Sequence, residues 1–162
     1  MEEEIIWAPW RIGYIAGKKK KGCLFCRVKR EKRDKENYLL FRGKYCFIIL
    51  NAFPYNNGHL MIAPFRHIKE PSQFKEEEVV ELWRLVALSI RLLKDVLKPE
   101  GFNIGLNLGK IAGAGYPGHL HLHLVPRWSG DTNFMPTVAK TKVISQSLNK
   151  LYEELKKSLR GV

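Results

Sequence analysis

The sequence has no apolar run of about 18 residues or more, the length that would read as a membrane-spanning helix. Its opening, MEEEIIWAPW, is acidic where a secretory signal would be basic and then apolar. A soluble, cytoplasmic protein with no membrane partner is therefore expected. Cysteine is scarce. Three in 162 residues, an odd number in a reducing compartment, argue against a disulfide framework and leave metal binding or burial as their uses. Acidic residues are outnumbered, 16 Asp and Glu against 28 Lys and Arg. The resulting charge of +12 favours anionic partners without choosing among nucleotides, polyphosphates, nucleic acid and acidic lipid surfaces. The basic runs KKKK (18–21) and KREKRDK (29–35) contain no aromatics, so solvated surface is expected there and nucleic acid is not the expected partner.

The length suits a single domain over 1–162, with an extension over 1–22, a core over 23–135 and a carboxyl-terminal helical region over 136–162. KYCFIIL (44–50) and GHLMIAP (58–64) have strand composition, and NAFPYNNG between them reads as a turn. From Ser72 to Lys98, apolar residues at Val79, Leu82, Trp83, Val86, Ile90, Leu93 and Leu97 have the spacing of one helix face. Ser72 is placed as its cap, Trp83 in the core, and KPEG as its stop. FNIGLNLG then alternates, with Phe102, Ile104, Leu106 and Leu108 on one side and Asn103, Gly105 and Asn107 on the other. A stripe from Val143 through Leu148, Leu151, Tyr152 and Leu155 to Leu159 marks a last helix. The fold class expected is α+β: an antiparallel sheet of about five strands carrying one long helix and a carboxyl-terminal helix.

Only five histidines are present, and three of them stand at alternate positions in GHLHLHLVPR. On a strand this puts His119, His121 and His123 in one row about 6.6 Å apart, with Leu120, Leu122 and Leu124 turned into the core. Pairing with FNIGLNLG would set Gly105 and Asn107 beside that row. Three readings compete: an ordinary half-exposed polar face, a metal site using two or three imidazoles, and nucleophilic catalysis by one imidazole whose neighbours orient it and meet a phosphate. The surroundings favour the last. Cys23-x-x-Cys26 has zinc-ligand spacing but supplies only half a site, and Cys46 within a strand pattern is expected in the core. Trp7 and Trp10, with Arg11 and Tyr14, are expected as packing anchors. Arg127 and Trp128 are placed to meet either a polyphosphate and a base or the core. Lys110 is a candidate phosphate contact, and Asp131 and Asn133 are placed in a turn.

GHLHLHLVPR, together with LNAFPYNNGHLMIAPFRH about sixty residues earlier, closely resembles the histidine triad proteins over roughly residues 23–135. VPRWSGDTNFM and WAPWR are further similar to that family's diadenosine tetraphosphate phosphorylase branch. The resemblance implies the histidine triad fold and nucleotidyl transfer on a dinucleoside polyphosphate, with water or inorganic phosphate as second acceptor. A nucleoside phosphoramidase, a general nucleotide hydrolase and a nucleotide-binding protein with little turnover are the alternatives. It also implies roles: His121 as nucleophile, His123 on phosphate oxygens, His59 as the early active-site histidine, Asn51 on the ribose and Asn107 near the phosphates. GAGYPG stands where many members carry Gln or Ser, and two readings stand side by side: backbone amides at Gly113, Ala114 and Gly115 meet the phosphate instead, or the segment is an ordinary flexible turn. By the same resemblance Cys23, Cys26, His67 and His119 form a structural zinc site, magnesium can accompany the substrate, and the protein is a homodimer.

Overall fold

The computed structural model describes residues 22–115, 118–132 and 143–161. Trp7, Trp10, Arg11, Tyr14, Asn133 and the KKKK run lie outside the described residues. Five strands, β1 (Leu39–Arg42), β2 (Cys46–Leu50), β3 (Leu60–Pro64), β4 (Gly101–Leu106) and β5 (Leu122–Arg127), form one antiparallel sheet in the order β1-β2-β3-β5-β4. A short helix α1 (Leu24–Arg30) precedes them, α2 (Glu76–Leu97) joins β3 to β4, and α3 (Leu148–Leu159) closes the described chain. The expected α+β architecture, with its long helix and terminal helix, is the one observed. No helix among the described residues is long and apolar enough to cross a membrane.

Strands β2 and β3 are buried along their whole length, so apolar side chains leave on both sides of the sheet. One side carries Leu40, Cys46, Ile48, Leu60, Ile62, Leu122 and Leu124 against α2 and α3. The other carries Leu39, Phe47, Ile49, Met61 and Ala63 against Phe25 and Val28 of α1. Each fully buried Leu, Ile or Phe there is worth about 1.5–3 kcal/mol relative to exposure, before the entropy of ordering it is subtracted. α1 is short, and these two apolar anchors hold it on the sheet. Cys46 lies in the first cluster, as expected.

The long helix departs from expectation at its start and on one flank. It begins at Glu76, because Pro71 opens a separate 3-10 turn over Pro71–Gln73 that contains Ser72. Glu78 takes over the capping role, accepting the Lys75 amide at 2.9 Å, and three acidic residues lie in the first turn, where the helix dipole favours them. Its buried face is Glu78, Leu82, Leu85, Val86, Ser89, Leu92 and Leu93. Trp83 is 55% exposed, a correction to its placement in the core: the apolar arc is wider than the contact, and the sheet selects the Leu82–Leu85 side. At the other end Lys98 adopts the left-handed conformation and Pro99 follows, which ends the helix where KPEG predicts. α3 starts at Leu148, capped by Ser147 Oγ accepting the Lys150 amide.

The two sheet edges differ. Along β1, the carbonyls of Leu39 and Leu40 accept from Tyr152 Oη at 3.1 Å and Lys156 Nζ at 3.0 Å, so α3 covers that edge. On β4, Ile104 and Leu106 remain exposed, as does Leu108 just beyond it. The alternation expected of this segment is present, but of its apolar side only Phe102 packs on the core.

Candidate functional site

β5 begins at Leu122, so His123 lies within the strand while His119 and His121 lie on its approach. The alternation survives regardless. Leu122 and Leu124 enter the α2–α3 core, and the three imidazoles sit on the α1 side, where Phe25 packs 5.1 Å from His119 and 4.8 Å from His121. The Leu120 amide, bonded to Ile68 O at 2.7 Å, holds the approach in place. All three imidazoles and His59 are buried.

The first imidazole belongs to a separate group of side chains. Cys23 stands at the N-cap of α1 and Cys26 in its first turn, while His67 follows β3, and the four ligand atoms of Cys23, Cys26, His67 and His119 lie within 4.8 Å of one another. His119 Nδ1 is 3.3 Å from Cys23 Sγ, 3.6 Å from Cys26 Sγ and 3.2 Å from His67 Nδ1, and Cys26 Sγ is 3.2 Å from His67 Nδ1. Four donors around one zinc at about 2.0–2.3 Å stand about 3.3–3.8 Å apart, so this set fits the ion in spacing and in chemistry. The tautomer fits too. His119 Nε2 donates to Pro64 O at 2.9 Å, which leaves the Nδ1 lone pair toward the cluster. Burial lowers the His119 pKa to about 4, partly offset by that bond, and keeps the ring neutral.

His121 has its tautomer set by the backbone: Nδ1–H donates to the His119 carbonyl at 2.8 Å, which leaves Nε2 with an unshared pair. Burial moves its pKa below the ordinary histidine value, against the opposing effect of that hydrogen bond. His123 stands edge-on to it, with ring centres 4.8 Å apart.

A second chain of tautomers runs through His59. The Tyr55 amide donates to His59 Nδ1 at 3.1 Å, so the proton of the neutral ring sits on Nε2 and is shared with His123 Nδ1 at 2.9 Å. Accepting there at Nδ1 leaves the His123 proton on Nε2; the Asn107 side-chain nitrogen lies 3.3 Å from that atom, and the amide accepts the proton only when turned to present its oxygen. His59 therefore sits behind His123 and acts through it. Burial, reinforced by the neighbouring imidazoles, lowers the pKa of His59 to about 3 and that of His123 to about 4. Asn51 reaches His59 Nδ1 at 3.3 Å and accepts the Phe53 amide at 2.9 Å.

Register places Gly105 directly opposite His123, so the polar side of β4 lies beside the histidine row as expected. The glycine loop differs in detail from expectation. The amides of Gly113 and Ala114 close turns onto Lys110 O and Gly109 O and are committed inside the loop, whose Gly113 borders Asn107. Gly115 is exposed. Tyr55 was not singled out in the sequence, although its amide fixes His59 and its ring packs 4.5 Å from His59 and 5.6 Å from His123. Asn56, buried and bonded to Pro126 O and Asp131, was likewise read only as part of a turn.

Residues 32–130 match the HIT domain family. The chain belongs to that family. The AP-4-A phosphorylase of Mycobacterium tuberculosis is 39% identical, over 88% of this chain and 77% of that protein. Among solved structures, a histidine triad nucleotide-binding protein from Sulfolobus tokodaii superposes with a TM-score of 0.68 and 26% identity, covering 86% of this chain and 93% of that one. A zinc-bound histidine triad family protein from Mycobacterium smegmatis has the same TM-score at 23% identity, covering 86% and 94%, which establishes likeness of fold. The HIT fold thus accounts for the sheet, the long helix and the position of the histidine row.

Folding stability is expected to decline as pH falls below about 6.5. In that range the unfolded chain takes up protons on His59 and His123, while the folded chain refuses them down to about 3 and about 4. Above about 6.5 the contribution is complete. Urea midpoints measured from pH about 7 to about 4 check this, and His59→Asn should remove about one proton from the slope. A slope that does not change in that variant would count against it.

Proposed function

We propose that the protein transfers the nucleotidyl group of a dinucleoside polyphosphate to inorganic phosphate or water through a covalent nucleotidyl-histidine on His121. The observation that carries this is the 2.8 Å bond from His121 Nδ1 to the His119 carbonyl, which leaves Nε2 unprotonated beside a second neutral imidazole. Identity of 39% to a protein named for AP-4-A phosphorolysis supports the substrate class. In the first step the Nε2 lone pair attacks the α-phosphorus. A P–N bond forms, the bridging P–O bond breaks, and its electron pair leaves with the nucleoside polyphosphate. In the second, an oxygen of phosphate or water attacks the same phosphorus and the P–N pair returns to the ring. For diadenosine tetraphosphate with phosphate, the products are ATP and ADP.

The remaining residues position and neutralise. His123 Nε2–H donates to a non-bridging α-phosphate oxygen, and His59 holds that proton on the outward nitrogen. Asn107 shares the phosphate, Asn51 takes the ribose hydroxyls, and the loop carrying Gly113 and Gly115 closes beside Asn107. Cys23, Cys26, His67 and His119 hold one zinc as a structural cross-link, a closed set of four protein ligands. Bound there, the ion supplies rigidity to the approach of β5. Magnesium enters only as a counter-ion carried by the polyphosphate: among the described residues the Cys–His cluster is the one group of three or more such side chains able to surround an ion.

The protein is further proposed to be a homodimer joined along β4. That edge is six residues long and its exposed apolar side chains, Ile104 and Leu106, offer a pairing template, whereas α3 covers the opposite edge.

Turnover of diadenosine tetraphosphate should fall by at least about a thousandfold in His121→Ala. Acid quenching of the wild type during turnover should place the nucleotide on His121 by mass spectrometry, and an adduct on another side chain would overturn the assignment. ADP formed only when phosphate is supplied identifies phosphorolysis, while AMP and ATP formed in water alone identify hydrolysis. Purified protein should contain about one zinc per chain, and Cys26→Ser should lose the metal and lower the melting temperature. Less than about a tenth of an equivalent, with no uptake on reconstitution, would exclude the zinc site. Sedimentation should report a dimer that Ile104→Lys dissociates, and a wild type that is monomeric throughout would refute the β4 interface.

A further inference from the structure

Beyond His123 the same face of β5 continues with Val125 and Arg127, which have no part in the chemistry described above. Across the ladder, Gly105 pairs with His123, Asn103 with Val125 and Gly101 with Arg127. A Cβ at Gly101 or Gly105 would meet nothing within 4 Å, so the space over this floor is open. A cleft of about 290 Å³ lies on the Asn103–Val125 pair between them, lined by Tyr55, Asn56, Asn103, Val125, Arg127 and Thr132. Tyr55 links the two regions. Its ring lies 5.6 Å from His123 and 26° from parallel to it, so the cleft begins where the imidazole row ends.

At the far end Arg127 is held as a fixed fork. Nε and Nη2 bond to the Asp131 carboxylate at 2.6 and 3.0 Å, and Nη1 bonds to Asn103 Oδ1 at 2.8 Å. Asp131 is itself anchored, accepting from Asn56 Nδ2 at 2.8 Å and from the Trp128 amide at 3.2 Å, with its side chain only 6% exposed. A guanidinium has five N–H groups, and three are engaged by these bonds. The other two lie on a side chain 46% exposed at the cleft. Such a fork suits phosphate oxygens, and because its rotamer is already set, little entropy is lost when it binds. Asp131 offsets its charge locally, so recognition here depends on directed hydrogen bonds more than on potential.

We propose that this cleft is the subsite for the polyphosphate chain beyond the α-phosphate, with Arg127 donating to its oxygens and Tyr55 and Asn103 as its walls. The proposal rests on the reading of His121 as the nucleophile. From His123 to Arg127 is four residues of strand, about 13 Å, which gives room for several phosphates. Arg127 then determines specificity: it rewards a leaving group that is long and anionic and is indifferent to a small one.

The test compares kcat/KM for diadenosine tetraphosphate with kcat/KM for adenosine 5′-phosphoramidate, whose leaving group is too small to enter the cleft. Arg127→Gln should lower the ratio of the two by about ten- to a hundredfold, mainly through KM for the longer substrate. Asn103→Asp, at an exposed site that leaves the Arg127–Asp131 pair in place, should lower it as well by putting a carboxylate on the floor. Arg127→Lys should recover part of the loss. A ratio within about twofold of wild type in both Arg127→Gln and Asn103→Asp overturns the subsite, as does a wild type that turns over only the phosphoramidate. A wild type that converts neither substrate overturns the nucleotidyl-transfer reading itself, and the subsite with it.

Discussion

The carbonyl of His119 accepting the Nδ1 proton of His121 is the constraint around which the site is organised. His119 has three polar groups committed: one ring nitrogen to the Cys–His cluster, the other to Pro64 O, and its carbonyl to the next imidazole in the row. A residue fixed at three points cannot rotate without breaking several contacts, so the next ring inherits a defined tautomer. Two buried, neutral imidazoles side by side would otherwise exchange tautomers freely, and only some of those forms leave the lone pair on Nε2 of His121.

The opposite end of the row is organised by different means. There the Tyr55 amide starts a relay through His59 to His123, built from a loop backbone and a buried side chain. The two relays give neighbouring histidines opposite polarity: His121 presents an acceptor nitrogen and His123 a donor. One chemical group thus serves two purposes within about two strand positions, and the difference comes entirely from which nitrogen the surroundings occupy.

Much of this was legible because alternation and helical spacing are local properties. β2, β3, the β4–β5 pairing, the helix stop at KPEG and the gathering of Cys23, Cys26, His67 and His119 all follow from patterns a few residues long or from the family resemblance. What escaped depends on tertiary choice. LLFR in β1 is four residues beside a basic run, too short to show a period, and seven-residue α1 is held by Phe25 and Val28 more than by propensity. Trp83 and Val79 belong to an apolar arc wide enough for either of two contacts, and only the packed sheet decides between them. The committed amides of Gly113 and Ala114 likewise depend on how the loop folds back on Gly109 and Lys110.

Strict alternation of leucine and histidine over residues 119–124 also makes this segment intolerant of changes in length. Because side chains repeat every two residues, a slip of one position would drive imidazoles into the aliphatic layer under α2 and turn leucines toward α1 and the Cys–His cluster. A single substitution changes one side chain of the row, whereas an inserted or deleted codon inverts the faces of the strand.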